Sequence, residues 1–211
     1  IYAIAKKKKP IILSTGMATV EDIHEALSYI AFGLANKTEM HEVAEFYKTA
    51  EAKGLLKQYV TILHCTTEYP APFDTINLRA MYTLQQEFGL AVGFSDHSQG
   101  IAVPTAAVAM GATVIEKHFT LDKTLEGPDH IASLEPRELK EMVTQIRQVE
   151  QALGNGMKQP SEVELKNRIP ARKSLVAAKA IQRGEIFSEA NLVVKRPGSG
   201  IAPSNYWNYL G

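Results

Sequence analysis

The sequence predicts an α/β protein in which parallel strands alternate with helices, followed by a small β-rich module. Four apolar strand-like segments are each followed by a helical pattern within residues 1–154, and these segments lack the alternation of a half-buried strand. Continuous apolar strands are typical of parallel sheets. A flavodoxin-like sheet needs about five strands and a closed barrel about eight. Because the sequence opens as if midway through a fold, we expect the C-terminal half of a (β/α)8 TIM barrel.

Each predicted element has its own local signal. Thr19 and Asp22 form an N-terminal capping pair, Gly89 stops a helix, and Pro136 suits the first turn of another. The predicted strands cover 10–16, 59–65, 90–96 and 112–120, and the predicted helices cover 19–30, 38–53, 75–89, 101–111 and 135–154. Residues 155–172 are polar without steady periodicity, which indicates a linker. Short β-like runs over 173–211 indicate the second module, which we expect to be truncated.

Composition narrows the class of protein. The 211 residues carry 23 Lys and Arg against 23 Asp and Glu, so a nucleic acid or an anionic membrane is a poor candidate for the main partner. The lone Cys65 excludes an internal disulfide and fits a reducing, cytoplasmic location. No apolar run reaches the ~18 residues of a membrane span, and no secretory signal pattern opens the sequence. Since the first residue is Ile1, we expect a fragment.

Polar side chains follow all four predicted strands. In a parallel sheet or barrel, ligands bind where the carboxyl ends of the strands meet, so these residues are expected at one edge. In chain order they are Ser14-Thr15-Gly16, Thr66-Thr67-Glu68-Tyr69-Pro70, Ser95-Asp96-His97 and Lys117-His118-Phe119-Thr120. Their position favours a binding site for phosphate, sugar hydroxyls or a metal.

His97 and His118 close adjacent predicted strands, so their imidazoles can meet over the same edge. Taken singly, each fits a hydrogen-bonded structural histidine; taken as a pair, a site for a divalent metal is an equal alternative. Asp129 lies in a Gly-Pro turn, either as an ordinary turn residue or as a carboxylate that exchanges protons with a substrate. Ser14 and Ser95 suit either a phosphate or a strand-end cap.

Several motifs together resemble the sialic acid synthase family, which includes N-acetylneuraminate synthase and the legionaminic and pseudaminic acid synthases. The motifs are "KPIILSTGMATVEDI", "LHCTTEYPAP", "VGFSDHSQGI", "GATVIEKHFTLDKTLEGPDHIASLEP" and "VVKRPGSGI", and the similarity runs from about residue 9 to the end. The resemblance implies a TIM barrel followed by a small antifreeze-like (SAF) domain. It also implies condensation of phosphoenolpyruvate with an N-acylmannosamine, releasing phosphate.

The resemblance further implies a role for each strand-end residue. His97 and His118 are the implied ligands of a divalent metal, Mn²⁺ or Mg²⁺, which acts as a Lewis acid on the sugar aldehyde. Ser14 and Ser95 match phosphate-binding positions, Tyr69 and Thr67 match a substrate-holding segment, and Asp129 matches the acid that handles protons. Arg196 matches an arginine that reaches the substrate from a partner subunit, which implies a domain-swapped homodimer.

Some features depart from the family pattern. Thr67 stands where some members have asparagine, and the family's phosphate-binding lysine and sugar-gripping acid belong to a first half that is absent here. We therefore expect this segment alone to be inactive. One alternative is a metal-dependent synthase of another 3-deoxy-ulosonic acid, which needs more basic strand-end residues than Lys117. The other alternative is a non-catalytic carbohydrate-binding relative.

Overall fold

The computed structural model describes residues 1–211, which form two compact units, Ile1–Gly154 and Asn155–Gly211. The first unit contains the predicted parallel sheet, which is confirmed. Its strands are β1 (Ile11–Ser14), β2 (Val60–Cys65), β3 (Ala91–Asp96) and β4 (Ile115–Lys117). They pair in the order β1-β2-β3-β4, and every pairing is parallel.

The strand order decides where the helices lie. Strands that neighbour one another in chain order, joined by right-handed crossovers, carry their helices on one face of the sheet. A doubly wound fold would instead need a reversal of strand order. The helices of the first unit are α1 (Tyr2–Ala5), α2 (Val20–Leu34), α3 (Val43–Tyr47), α4 (Ala50–Tyr59), α5 (Ala80–Phe88), α6 (Ala102–Ala109) and α7 (Pro136–Leu153). The sheet is therefore barrel-like in its connectivity.

The main core lies between the sheet and these helices. Ile62 and Phe94 of the sheet are buried in one hydrophobic cluster with Leu27 and Ile30 of α2. Burying each such side chain stabilises the fold by about 1.5–3 kcal/mol. On β1 every second residue, which faces the other side of the sheet, is exposed to solvent; Ile12 is 57% exposed. The helix-covered face of the sheet therefore holds the core, while the other face is partly exposed.

Local caps explain several helix boundaries and one difference from the prediction. Thr19 and Asp22 form the predicted capping box of α2, and Gly89 ends α5 in the left-handed conformation. The helix predicted over 38–53 is instead divided into a 3-10 turn, α3 and α4. The division falls at Thr49, whose hydroxyl accepts a hydrogen bond from the Ala52 amide at 3.2 Å and so begins a new helix.

The second unit combines one helix, one strand pair and one 3-10 segment. Strands β5 (Ser174–Ala177) and β6 (Leu192–Lys195) pair in antiparallel fashion, and a 3-10 segment covers Pro203–Tyr209. The buried Asn191 side chain donates to the Ile186 carbonyl at 3.0 Å, which fixes the turn before β6. Helix α8 (Glu162–Ala171) occupies most of the stretch predicted as a linker, because Ser161 and Glu164 form a capping box.

No helix in either unit is both long enough and apolar enough to span a membrane.

A substitution at Gly93 tests how closely β3 packs between β2 and β4. A methyl group on Gly93 would lie 2.5 Å from Leu63 Cδ2 and 2.5 Å from the Val114 carbonyl oxygen. We expect Gly93→Ala to lower the free energy of unfolding by about 1–3 kcal/mol, measured by urea denaturation of the full-length gene product. Gly54→Ala is the control, since nothing lies within 4 Å of that site in α4. The control should raise the free energy of unfolding by roughly 0.5–1 kcal/mol, and equal stability of Gly93→Ala and wild type would contradict the described packing.

Candidate active site at the carboxyl edge of the sheet

The register of β3 and β4 brings the two predicted histidines together. Asp96 of β3 pairs with Lys117 of β4, and each histidine is the next residue along its chain. The ring centroids of His97 and His118 lie 5.2 Å apart, with their planes inclined by 69°. His97 is buried, whereas His118 is partly exposed. The expected meeting of the imidazoles over one edge of the sheet is therefore present.

A backbone carbonyl fixes the orientation of the His97 ring. The Nδ1 atom of His97 lies 2.8 Å from the Thr66 carbonyl oxygen, which can only accept a hydrogen bond. Nδ1 must therefore carry the proton, which leaves the Nε2 lone pair free. Cys65 Sγ lies farther from the same nitrogen, at 3.7 Å. A carbonyl that binds one ring nitrogen is a common way to orient the other nitrogen toward a metal.

The donor atoms of this edge fit part of a metal site. No group of three or more His, Cys, Asp or Glu side chains comes together in the positions that a metal ion would need. The carboxylate of Asp129 lies beside the pair, with its Oδ2 3.9 Å from His118 Nδ1. His97 and His118 thus offer two nitrogen donors, a set that suits a divalent transition metal whose other positions are taken by water and substrate.

Tyr69 completes the cluster from the loop that follows β2. Its ring centroid lies 4.2 Å from that of His97 and 5.5 Å from that of His118. Partial desolvation raises the pKa of the Tyr69 phenol above its ordinary value, and negative charge on Cys65, Asp129 and Glu116 raises this pKa further. The hydroxyl therefore stays protonated at neutral pH and can donate a hydrogen bond to a ligand.

Glu116 is a site residue that the sequence reasoning missed. Its carboxylate Oε1 accepts a hydrogen bond from the Ser95 hydroxyl at 2.7 Å, and the two residues face each other in the register of β3 and β4. Side chains alternate along a strand, so Glu116 shares its face with His118, two residues further on. The spacing of two residues between Glu116 and His118 is the sequence signal that could have identified Glu116. With its proton directed at Glu116, the Ser95 hydroxyl presents only its oxygen lone pairs to a neighbour.

The other predicted residues are more widely separated. Ser14 ends β1, two strands from β3, which places it roughly 10 Å away across the sheet. Thr67 is exposed and lies beside Gly16, where its hydroxyl fills the space that a side chain at Gly16 would need. Arg196 belongs to the second unit, where it follows β6 and is exposed.

Parallel strands in chain order, with helices on one face, place the first unit among the α/β barrel-type folds, whose ligand sites lie at the carboxyl edge. The model of the NeuB family matches residues 1–158, and the model of the SAF domain matches residues 172–211. The chain therefore belongs to the NeuB family, the sialic acid synthases, and the predicted family is confirmed.

Individual relatives agree with this assignment. The N,N'-diacetyllegionaminic acid synthase of Campylobacter jejuni is 52% identical over 99% of this chain and 56% of its own length. A pseudaminic acid synthase of the same species is 43% identical over 100% of this chain and 55% of its own length. The crystal structure of an N-acetylneuraminic acid synthetase from Leptospira borgpetersenii, in complex with citrate, superposes with a TM-score of 0.62 at 33% identity, covering 79% of this chain and 50% of that one. The chain thus spans about half the length of these relatives.

The protonation of the histidine rings tests the described site. We expect His97 to carry its proton on Nδ1, since that atom faces the Thr66 carbonyl. His64 is an internal control of opposite kind, because its Nε2 lies 2.6 Å from the Ile76 carbonyl oxygen. Long-range ¹H–¹⁵N correlation spectra, recorded at mildly alkaline pH where free imidazole is neutral, distinguish the two tautomers. A proton on Nε2 of His97 would contradict the geometry.

Proposed function

We propose that the full-length protein condenses phosphoenolpyruvate with an N-acylmannosamine sugar to give a nonulosonic acid and phosphate. The observation that carries this proposal is the cluster of His97, His118, Tyr69 and Asp129 at the carboxyl edge of a NeuB-family sheet. The four strands then form one half of a (β/α)8 barrel. The two Campylobacter jejuni relatives described above are both named acid synthases, which supports the same reaction class.

In this reaction the C3 carbon of phosphoenolpyruvate attacks the aldehyde carbon of the open-chain sugar. Water adds to the resulting cation at C2, and the tetrahedral intermediate expels phosphate by cleavage of its C–O bond. His97 and His118 would hold a divalent cation that acts as a Lewis acid on the sugar carbonyl. Imidazole donors favour Mn²⁺ over Mg²⁺, which prefers an all-oxygen shell.

The other residues of the site bind the sugar and transfer protons. The protonated Tyr69 hydroxyl donates a hydrogen bond to a sugar oxygen, which orients the carbonyl next to the imidazoles. The Asp129 carboxylate, more than half exposed beside His118, takes up or returns a proton as the carbonyl becomes a hydroxyl. Ser14 and Ser95 bind the phosphate of phosphoenolpyruvate, for which the Ser95 hydroxyl must turn its proton from Glu116 toward the phosphate. Thr67 helps to hold the substrate from the loop that follows β2.

Two further features of the proposal concern the substrate and the assembly. The 52% identity to an N,N'-diacetyllegionaminic acid synthase favours a 2,4-diacetamido-2,4,6-trideoxymannose over N-acetylmannosamine. The exposed Arg196 acts on the acyl group of the sugar from a partner subunit, which makes the active protein a domain-swapped homodimer. Among the four strand ends of this segment Lys117 is the one lysine, and its ion pair with Asp96 is buried, so these strands offer no free lysine to a sugar phosphate.

Phosphate release from phosphoenolpyruvate tests the proposed function. With Mn²⁺ present, the full-length protein should release phosphate when given the diacetamido sugar, and much more slowly when given N-acetylmannosamine. A chelator, His97→Ala or His118→Ala should each lower the rate by at least about 100-fold, since each removes the cation or one of its donors.

His41→Ala is the matched control, because His41 is exposed on a 3-10 turn far from the strand ends in the sequence. It should leave the rate at the wild-type value. If neither sugar elicits phosphate release while the protein binds Mn²⁺, the proposed reaction is wrong.

A further inference from the structure

A buried ion pair lies directly behind the two histidines, on the opposite face of the sheet. Side chains alternate along a strand, so Asp96 and Lys117 point away from the face that carries His97 and His118. The side chains of Asp96 and Lys117 are 0% and 3% exposed, and Lys117 Nζ lies 2.7 Å from Asp96 Oδ2. The two charges therefore join the ends of β3 and β4 where solvent does not reach.

Both members of the pair also bind the backbone just beyond His97. Asp96 Oδ1 accepts a hydrogen bond from the Ser98 amide at 2.8 Å, and Lys117 Nζ donates to the Ser98 carbonyl. His97 is thus enclosed between two residues, Asp96 and Ser98, that are held by the same side-chain bonds. His118 directly follows the lysine that makes two of those bonds.

The backbone pairing of β3 and β4 stops before the two histidines, so the ion pair of Asp96 and Lys117 is a side-chain link between the strand ends. The register of β3 and β4 ends at Asp96 and Lys117, one residue before each histidine. Past that point the His97 carbonyl accepts from the Ala71 amide at 2.9 Å, and the His118 carbonyl accepts from the Leu134 amide at 2.8 Å. These two bonds tie the histidines to loops on their outer sides, away from each other.

Stability alone is a weak reason for such a pair. Replacing a buried ion pair by apolar side chains of similar volume is often neutral or stabilising, because both charges must lose their hydration. A hydrogen-bonded ion pair does fix the distance and direction between its two side chains, and so can hold the ends of β3 and β4 at one separation. We propose that Asp96 and Lys117 are positioning residues that set the separation and orientation of the His97 and His118 imidazoles. The consequence for cation binding rests on the proposed function; the geometric claim does not.

The test separates positioning from stability with a neutral double variant, Asp96→Asn/Lys117→Met. Asparagine keeps an acceptor for the Ser98 amide, and methionine fills the volume of the lysine without leaving a buried charge. In the full-length protein we expect an unfolding midpoint close to that of wild type. The affinity for Mn²⁺, measured by calorimetry, should fall about 10- to 100-fold, as for other changes behind a ligand. The metal-free proton NOE between the two imidazole rings should weaken.

A second variant covers the case in which the double variant does not fold. Asp96→Glu keeps both charges and adds one methylene, so it should fold and weaken Mn²⁺ binding by a smaller factor. Ser98→Ala is the control, since it keeps both backbone bonds and removes a buried hydroxyl that has no hydrogen-bond partner. This control should match wild type in the midpoint, the affinity and the NOE.

The outcomes distinguish this inference from the proposed function. A folded variant with wild-type Mn²⁺ affinity and an unchanged ring NOE would overturn the positioning role. If wild type binds no Mn²⁺ but the ring NOE is lost in the double variant, the positioning role stands and the proposed metal-dependent function fails. If the NOE persists in the folded variants, the positioning role is wrong whatever the metal does.

Discussion

The parallel register of β3 and β4 is the constraint on which the arrangement of the site depends. Side chains alternate with a period of two, so a slip of one residue would exchange the two faces of a strand. With Asp96 opposite Lys117, both histidines project from the same face, as do Ser95 and Glu116. A one-residue slip of β4 would place the lysine on the ligand face and turn His118 toward the helices. The same register therefore determines both the open cluster and the buried ion pair behind it.

Two loops bring the remaining groups to this edge because they are anchored at both ends. The loop that carries Tyr69 is tied to β3 by the bond from the Ala71 amide to the His97 carbonyl. The loop that carries Asp129 is held where His130 meets the Thr120 hydroxyl, with Nδ1 and Oγ1 separated by 2.7 Å. Polar groups on loops keep a fixed geometry only when a rigid scaffold positions them. The strand ends supply that scaffold here.

Much of this architecture could be predicted because it depends on local signals and on one general rule. Apolar runs, the Thr19 cap and Gly89 gave the order of strands and helices, and the rule that ligands meet at strand ends gave His97 and His118 as a pair. The division at Thr49 was missed because a threonine can lie within a helix or can cap the start of a new one, and the local sequence pattern fits both. The helix in the polar stretch 162–171 was missed because the absence of an apolar stripe outweighed its capping box.

The partners of buried charges could not be predicted from the sequence. The stretches "SDH" and "EKH" each place a charge beside a histidine, but whether Asp96 meets Lys117 depends on the register between strands that are 21 residues apart along the chain. The same is true of Ser95 and Glu116, whose hydrogen bond assigns the serine proton to a carboxylate. Such contacts follow from tertiary geometry, and a local pattern contains no information on it.

A crystal structure of the full-length protein grown with Mn²⁺ would test the central claim most directly, since anomalous scattering locates the ion without reference to the protein. The account predicts one strong anomalous peak at about 2.0–2.3 Å from Nε2 of His97 and from a nitrogen of His118, with oxygen atoms in the remaining positions. An anomalous peak elsewhere in the protein, with the two imidazoles still 5.2 Å apart between centroids and no ion between them, would contradict it.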